Sequence, residues 1–180
     1  MKRLITYCFI AIVFTLVAGC SQDDAKLSEM EEYTGPSFES ENVVIKLTEA
    51  TVVKVIMKGK KQLQFQNGDI EFPEGLEVTF FDENGEKTTI LTAQKGFKSA
   101  TDNLYRANGD VVVRNLIKEE TLRTEELFWN PETKKIFTDK FVTVQTLTDI
   151  IPAEGLTAPQ DFSTYQFIKP KNGEFQFEDN

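Results

Sequence analysis

From Asn42 to the end of the chain, apolar residues recur at every second position rather than at spacings of three and four. That is the rhythm of half-buried strands. Asn-Gly occurs four times, at Asn67-Gly68, Asn84-Gly85, Asn108-Gly109 and Asn172-Gly173, each time between runs rich in Val, Ile, Phe, Thr and Leu. The pair tolerates the positive φ of tight hairpin turns, so each is expected to join two antiparallel strands. Asn130-Pro131-Glu132-Thr133 adds a type I turn with proline at its second position. The pattern predicts an all-β domain over residues 42–180.

The alternation also repeats at longer range. Leu91-Thr92-Ala93 is followed four residues later by Phe97, Leu122-Arg123-Thr124 by Phe128, and Leu156-Thr157-Ala158 by Phe162. Each unit closes on an alternating pair: Val111/Val113, Val142/Val144 and Phe175/Phe177. Val78 and Phe80 end an earlier, degenerate unit. Within a unit the Leu, the Ala or Thr, and the Phe share one parity, so in extended chain they are expected on one face. Units of this kind bury that face only by stacking, which predicts a long sheet pair with a continuous apolar inside. Leu127 and Trp129 have the parity opposite to Phe128; one of the two sets faces inward, and parity alone does not say which.

Ahead of the strands the pattern changes. Lys2 and Arg3 precede fifteen uncharged residues, Leu4 to Ala18. That is shorter than the ~20 apolar residues of a membrane-crossing helix, and fits the ~7–15 of a signal-peptide core. Val17-Ala18-Gly19-Cys20 resembles the lipobox of bacterial lipoproteins, in which cleavage leaves an acylated cysteine as the first residue. An ordinary secretory signal would instead leave Cys20 without a role. Residues 1–19 read as a lipoprotein signal peptide and residues 20–41 as an acylated N-terminus with an acidic tether. Ser21 to Ser40 holds six acidic residues, one lysine and a Gly-Pro break.

Composition narrows the chemistry. Cleavage removes Lys2 and Arg3 from the 20 basic residues, leaving 18 against 29 acidic ones, a net of −11. That argues against nucleic acid and against electrostatic capture of anionic head groups. There is no histidine, which removes Ser-His-Asp and Cys-His catalysis and histidine metal sites. Of the two cysteines, Cys8 leaves with the signal, so no disulfide is expected. Asp82-Glu83-Asn84-Gly85-Glu86 places its glycine at the fourth position, where a calcium loop needs it at the sixth, and reads as a solvated turn. Glu119-Glu120 and Glu125-Glu126 are adjacent on strands and point to opposite faces, so neither is a facing catalytic pair. No catalytic residue, cofactor or metal site is expected.

The repeats carry a resemblance. "LTAQKGFKSATDNLYRANGDVVVRN" (Leu91–Asn115), "TLRTEELFWNPETKKIFTDKFVTV" (Thr121–Val144) and "IPAEGLTAPQDFSTYQF" (Ile151–Phe167) together resemble the OstA/LptC-type repeat of lipopolysaccharide export, over roughly Asn42 to Phe177. The order of anchor, tether and repeats is similar to that of the LptC family. The resemblance implies a twisted, half-open β-jellyroll whose apolar interior shelters lipid acyl chains. It also implies partners: lipopolysaccharide, an inner-membrane ABC permease pair, and a periplasmic bridge protein docking at the C-terminal edge, around Phe175 and Phe177. ATP hydrolysis would belong to a separate subunit. On this reading the lining comprises Val78, Phe80, Leu91, Ala93 and Phe97, the two valine pairs, and Leu122, Phe128, Leu156 and Phe162. Two departures stand out. Acyl chains on Cys20 replace the family's usual transmembrane helix. Of two glycines the family tends to place after an isoleucine, Gly155 matches the second and Ala153 stands at the first. The resemblance favours the periplasmic face of the inner membrane, and the acidic "SQDD" leaves the outer membrane or surface open. A lipoprotein scaffold docking partners through strand edges, without lipid, is the alternative.

Overall fold

The computed structural model describes residues 33–171 and 174–175, and every described strand lies in the unit Gly35–Asn180. Twelve strands form one antiparallel sheet: β1 (Phe38–Glu49), β2 (Val52–Gln64), β3 (Ile70–Phe72), β4 (Leu76–Phe81), β5 (Lys87–Ala93), β6 (Lys95–Lys98), β7 (Tyr105–Asn115), β8 (Glu120–Asn130), β9 (Lys135–Gln145), β10 (Asp149–Pro159), β11 (Gln166–Pro170) and β12 (Glu174–Phe175). The all-β reading holds, and the first strand starts at Phe38 rather than Asn42.

Two of the Asn-Gly pairs make turns, joining β2 to β3 and β4 to β5 with Gly68 and Gly85 at φ +89° and +81°. In the second turn Asp82 Oδ1 accepts from the backbone N–H groups of Asn84 and Glu86, both at 2.8 Å. The Asn130 side chain organises the β8–β9 turn likewise, accepting from Glu132 and Thr133 at 2.9 and 3.0 Å. Asn108-Gly109 is a correction. It lies inside β7, where Gly109 and Asp110 take φ +75° and +46° and the register with β8 shifts between Asn108 and Val111. The same backbone freedom that permits a turn here makes a bulge. Asn172-Gly173 lies outside the described residues.

That bulge belongs to a line of bends across the sheet. β8 shifts register with β9 between Thr124 and Phe128, opposite Phe137 to Val142, and β10 shifts against β9 at Gly155, φ +86°. The gap at Gln94 between β5 and β6 falls on the same line, its N–H donating to the Gly109 carbonyl at 2.9 Å. Bulges leave backbone groups without ladder partners, and two buried threonines supply replacements. Thr124 Oγ1 donates to the Phe141 carbonyl at 2.9 Å, and Thr138 Oγ1 accepts from the Lys140 N–H at 3.1 Å.

The bends divide the sheet into two leaves. β7 pairs with β6 through Tyr105–Asn108 and with β5 through Val112–Asn115. β2 likewise pairs with β4 through Val55–Gly59 and with β3 at Leu63 and Gln64. Since β3 pairs β6 and β4 pairs β5, the pairings close a ring, with β4–β5 in the first leaf and β3–β6 in the second. β8, β9 and β10 pass through both. The leaves face each other across an apolar core: Phe80 of the first meets Trp129 of the second edge to face at 5.4 Å, while Gly96 packs so tightly that a Cβ there would lie 2.7 Å from Leu76 Cδ2.

The bend at Gly155 generates a prediction. A Cβ at this residue would stand 2.8 Å from Ile168 Cδ1 and 3.1 Å from Ile168 Cβ, whereas at Gly85 it would meet nothing within 4 Å. Both residues have positive φ, so alanine costs each about 1–2 kcal/mol of left-handed strain. Gly155→Ala is expected to lose clearly more than Gly85→Ala in urea unfolding, with Ile168→Ala, which removes the Cδ1 and Cγ1 contacts and keeps the Cβ, recovering part of the difference. Equal losses would show that the close approach at the bend does not matter.

Candidate functional site: the apolar interior and the sheet edges

The cross-strand register aligns side chains from eight strands into one row. Ile45 pairs Met57, Met57 pairs Val78, Val78 pairs Leu91, Leu91 pairs Val113, Val113 pairs Leu122, Leu122 pairs Val144 and Val144 pairs Ile151. With strands ~4.8 Å apart, the seven steps span about 34 Å. Beside it runs a shorter row of Val111, Thr124, Val142 and Ala153, all buried. On the facing leaf Gly96, Ala107 and Leu127 align, and Tyr105, Trp129, Ile136 and Ala158 form the next row. Tyr105 packs on Trp129 at 4.9 Å, and burial pushes its phenol above the ordinary range, keeping it neutral.

Ten of the residues singled out from sequence are buried in this core: Val78, Phe80, Leu91, Val111, Val113, Leu122, Val142, Val144, Leu156 and Phe162. Ala93 is half-buried and packs against them. Phe97 and Phe128 do not join them, which corrects the expectation that the three repeat phenylalanines share one face. Phe97 pairs with Arg106, and Arg106 with Phe128, on the opposite side of strands whose inward residues are Gly96, Ala107 and Leu127. At the bend β7 and β9 each carry one residue more than β8, and in β8 the inward parity reverses between Thr124 and Leu127. Leu127 and Trp129 are therefore the inward set.

On the outer face Phe97, Arg106, Phe128 and Phe137 form a ladder of their own. Arg106 lies 5.1 Å from the Phe97 ring and its Nε is buried without a hydrogen-bond partner, while Phe128 stacks on Phe137 at 5.3 Å. Phe141 and Ile168 lie nearby, 53% and 59% exposed. Met57, Phe72 and Leu76 are interior residues absent from the repeat reading. The alternation Val53-Val55-Met57 marks the first; Phe72 and Leu76 flank a Pro-Glu-Gly corner, at the ends of the short alternating runs Ile70-Phe72 and Leu76-Val78-Phe80.

The interior is closely packed. Between the leaves, a void of about 20 Å³ lies among Met57, Val78, Phe80, Leu91, Tyr105 and Trp129. That is little more than the ~10–15 Å³ one water occupies on this measure. A larger open depression of about 470 Å³ is walled by β1, β2, β4 and the end of β5, where Lys58 and Glu77 pair at 2.9 Å beside Val43, Leu76 and Ala93. Among the described residues no cluster of three acidic, cysteine or histidine side chains is placed to hold a metal ion. No helix among them is long and apolar enough to cross a membrane.

The sheet has two edges. β1 pairs only with β2. At the other end β10 is covered in tandem, by β11 along Ala153–Thr157 and by β12 at Asp149 and Ile150. Among the described residues the terminal edge is thus formed by β11 and β12 in tandem. The backbone of Phe175 pairs with Asp149. Cys20 and Phe177 lie outside the described residues.

Comparison with curated proteins finds no match. Residues 5–169 match the family model described as Lipopolysaccharide-assembly, LptC-related. A match over nearly the whole chain, on a two-leaved sheet with a continuous apolar inside, places the protein in the LptC family, whose role is in lipopolysaccharide export at the periplasmic face of the inner membrane.

Proposed function

We propose that this protein carries lipopolysaccharide acyl chains between its two leaves, taking them from an inner-membrane ABC permease and passing them to a periplasmic bridge protein. The observation that carries the reading is the row from Ile45 to Ile151, an apolar line perpendicular to eight strands. Lipid transfer needs such a line because each buried methylene is worth ~0.8 kcal/mol. A path of evenly spaced apolar side chains lets a chain advance without re-exposing that surface at each step. The saccharide stays in water outside the leaves. No catalytic chemistry is required of this chain.

The scaffold reading has one observation in its favour, the packed interior with its void of about 20 Å³. Placing p-benzoylphenylalanine at Phe72 or Phe80 in cells with an active exporter separates the two. Both residues face inward, and capture of lipopolysaccharide is expected there. The same probe at Phe97 or Phe128, on the outer face, is expected to capture several-fold less. Equal capture at both faces would refute the path between the leaves, and none anywhere would favour the scaffold.

Anchoring rests on Cys20. Cys20→Ser is expected to release the protein from membranes, or leave an uncleaved precursor, while the strands stay folded. Fractionation with acyl labelling checks this, and wild type without lipid on Cys20 would end the anchor reading.

The bridge protein is proposed to dock at the terminal edge by strand addition. Truncation after Lys171 removes β12, which among the described residues pairs β10 at Asp149 and Ile150. The truncated chain is expected to melt cooperatively, keep permease association and lose the bridge protein in pull-downs. A folded truncation that still binds the bridge protein would place docking elsewhere.

A further inference from the structure

Among the described residues the void at Met57, Phe80 and Trp129 fits little more than one water, so on the proposed path something must leave there before lipid enters. Nearly all the interior is fixed by strand pairing. Among the buried apolar residues of the core, Phe162 alone lies outside a strand. It occupies the turn between β10 and the edge strand β11, buried, at φ +55°, a backbone conformation rare for a bulky side chain.

The same turn gathers hydrogen bonds from both leaves. On the first leaf Thr89 and Asn115 are cross-strand partners, both buried. Thr89 Oγ1 donates to the Asp161 carbonyl at 3.1 Å, and Asn115 Nδ2 donates to the Phe162 carbonyl at 3.0 Å. On the second leaf Trp129 Nε1 donates to Gln160 Oε1 at 3.1 Å, and the Gln160 N–H donates to the Lys134 carbonyl at 2.9 Å. Just beyond, the Tyr165 hydroxyl reaches Glu120 Oε1 at 3.5 Å. The Asn115 Nδ2 and the Thr89 hydroxyl reach this turn from 47 and 72 residues along the chain and tie the leaves together there, while Asn115 Oδ1 accepts from the Ile117 and Lys118 N–H groups, both at 2.9 Å.

We propose that the turn Pro159–Tyr165 is a strap that shuts the interior when no lipid is present, with Phe162 as a plug in the seat an acyl chain takes. The strap can swing because β11 is an edge strand held at four ladder positions, so its release leaves the rows of the first leaf intact. Withdrawal of Phe162 exchanges one apolar occupant for another. The hydrogen bonds from Thr89 and Asn115 set the closed state, and their loss favours the open one. This rests on the path between the leaves, and its test separates the two.

The test uses the full chain with p-benzoylphenylalanine at Phe80, in cells with an active exporter, reading the lipopolysaccharide adduct per molecule. Phe162→Gly suits the positive φ and removes the plug; Asn115→Ala removes a tie and keeps it. Each is expected to raise the adduct about threefold or more. Trp129, the chain's only tryptophan, bonds the strap, so its emission in the purified full chain in phosphatidylcholine vesicles is expected to shift to the red in Asn115→Ala, with cooperative melting retained. An adduct in wild type that is unchanged or reduced in both variants overturns the strap and leaves the path standing. If Phe162→Gly fails to accumulate, Asn115→Ala decides alone. No adduct in wild type or either variant overturns the path and the strap with it.

Discussion

Four strands, β7 to β10, each have to serve two leaves while staying paired to one another, and each does so through an irregularity in its pairing, whereas β2 reaches both leaves with its register to β1 unbroken from Val55 to Gln64. The line of bends through Gly109, the residues after Thr124, Asp139-Lys140 and Gly155 meets this constraint at one level in all four. Because the bends are aligned, the ladder is interrupted once and resumes on both sides in step. The rows exist for the same reason. If one bulge stood two residues out of line, its strand would present outer residues to the core on part of its length. Glycine or a left-handed residue supplies the backbone in β7 and β10, and threonine hydroxyls satisfy the freed groups around β8 and β9.

The bends also decide what was legible in the sequence. The valine pairs 111/113 and 142/144 and the leucines at 91 and 122 read correctly, because each stands in an unbroken run on one side of a bend. Parity carried across a bend reads wrongly, which is why Phe97 and Phe128 lie outside while Leu127 and Trp129 lie within. Asn108-Gly109 misleads for a related reason: its left-handed preference is real, and only the pairing on either side shows whether a turn or a bulge uses it. The strap residues carried no signal at all. Thr89 and Asn115 look like ordinary polar positions near the ends of strands, and their burial follows from a turn 47 residues or more away.

The outer ladder of Phe97, Arg106, Phe128 and Phe137 shows how the second leaf keeps aromatic residues out of the core without leaving them bare. The Arg106 guanidinium covers the Phe97 ring, and Arg106 stands opposite Phe128 in the ladder, where its aliphatic stem can lie along the ring. Lys171 does the same for Phe141 at 5.7 Å while pairing with Glu154 at 2.7 Å. The neighbouring lysine holds the Glu154 carboxyl below its usual range, so the pair stays charged at neutral pH. Phenylalanine abundance therefore divides between the core and an outer face that leaves Phe141 53% exposed, which composition alone does not separate.

An apolar interior invites aggregation if it opens freely, and an open sheet edge invites it too. The two hazards meet at β10 and its coverings. β11, five residues long, is too short to offer a long unpaired template, yet it borders the turn that carries Phe162 and its ties to both leaves. β1, at the far edge, carries Glu39, Glu41, Lys46 and Glu49 among its exposed positions, and Lys134 pairs with Glu49 at 2.9 Å across from the β8–β9 turn. One edge is thus guarded by charge along a long strand, the other by brevity. Of the two, the short edge is the one whose displacement costs the sheet little. A path that must stay shut in isolation and open on contact is most economically closed there, where few ladder bonds stand between the closed interior and an arriving partner.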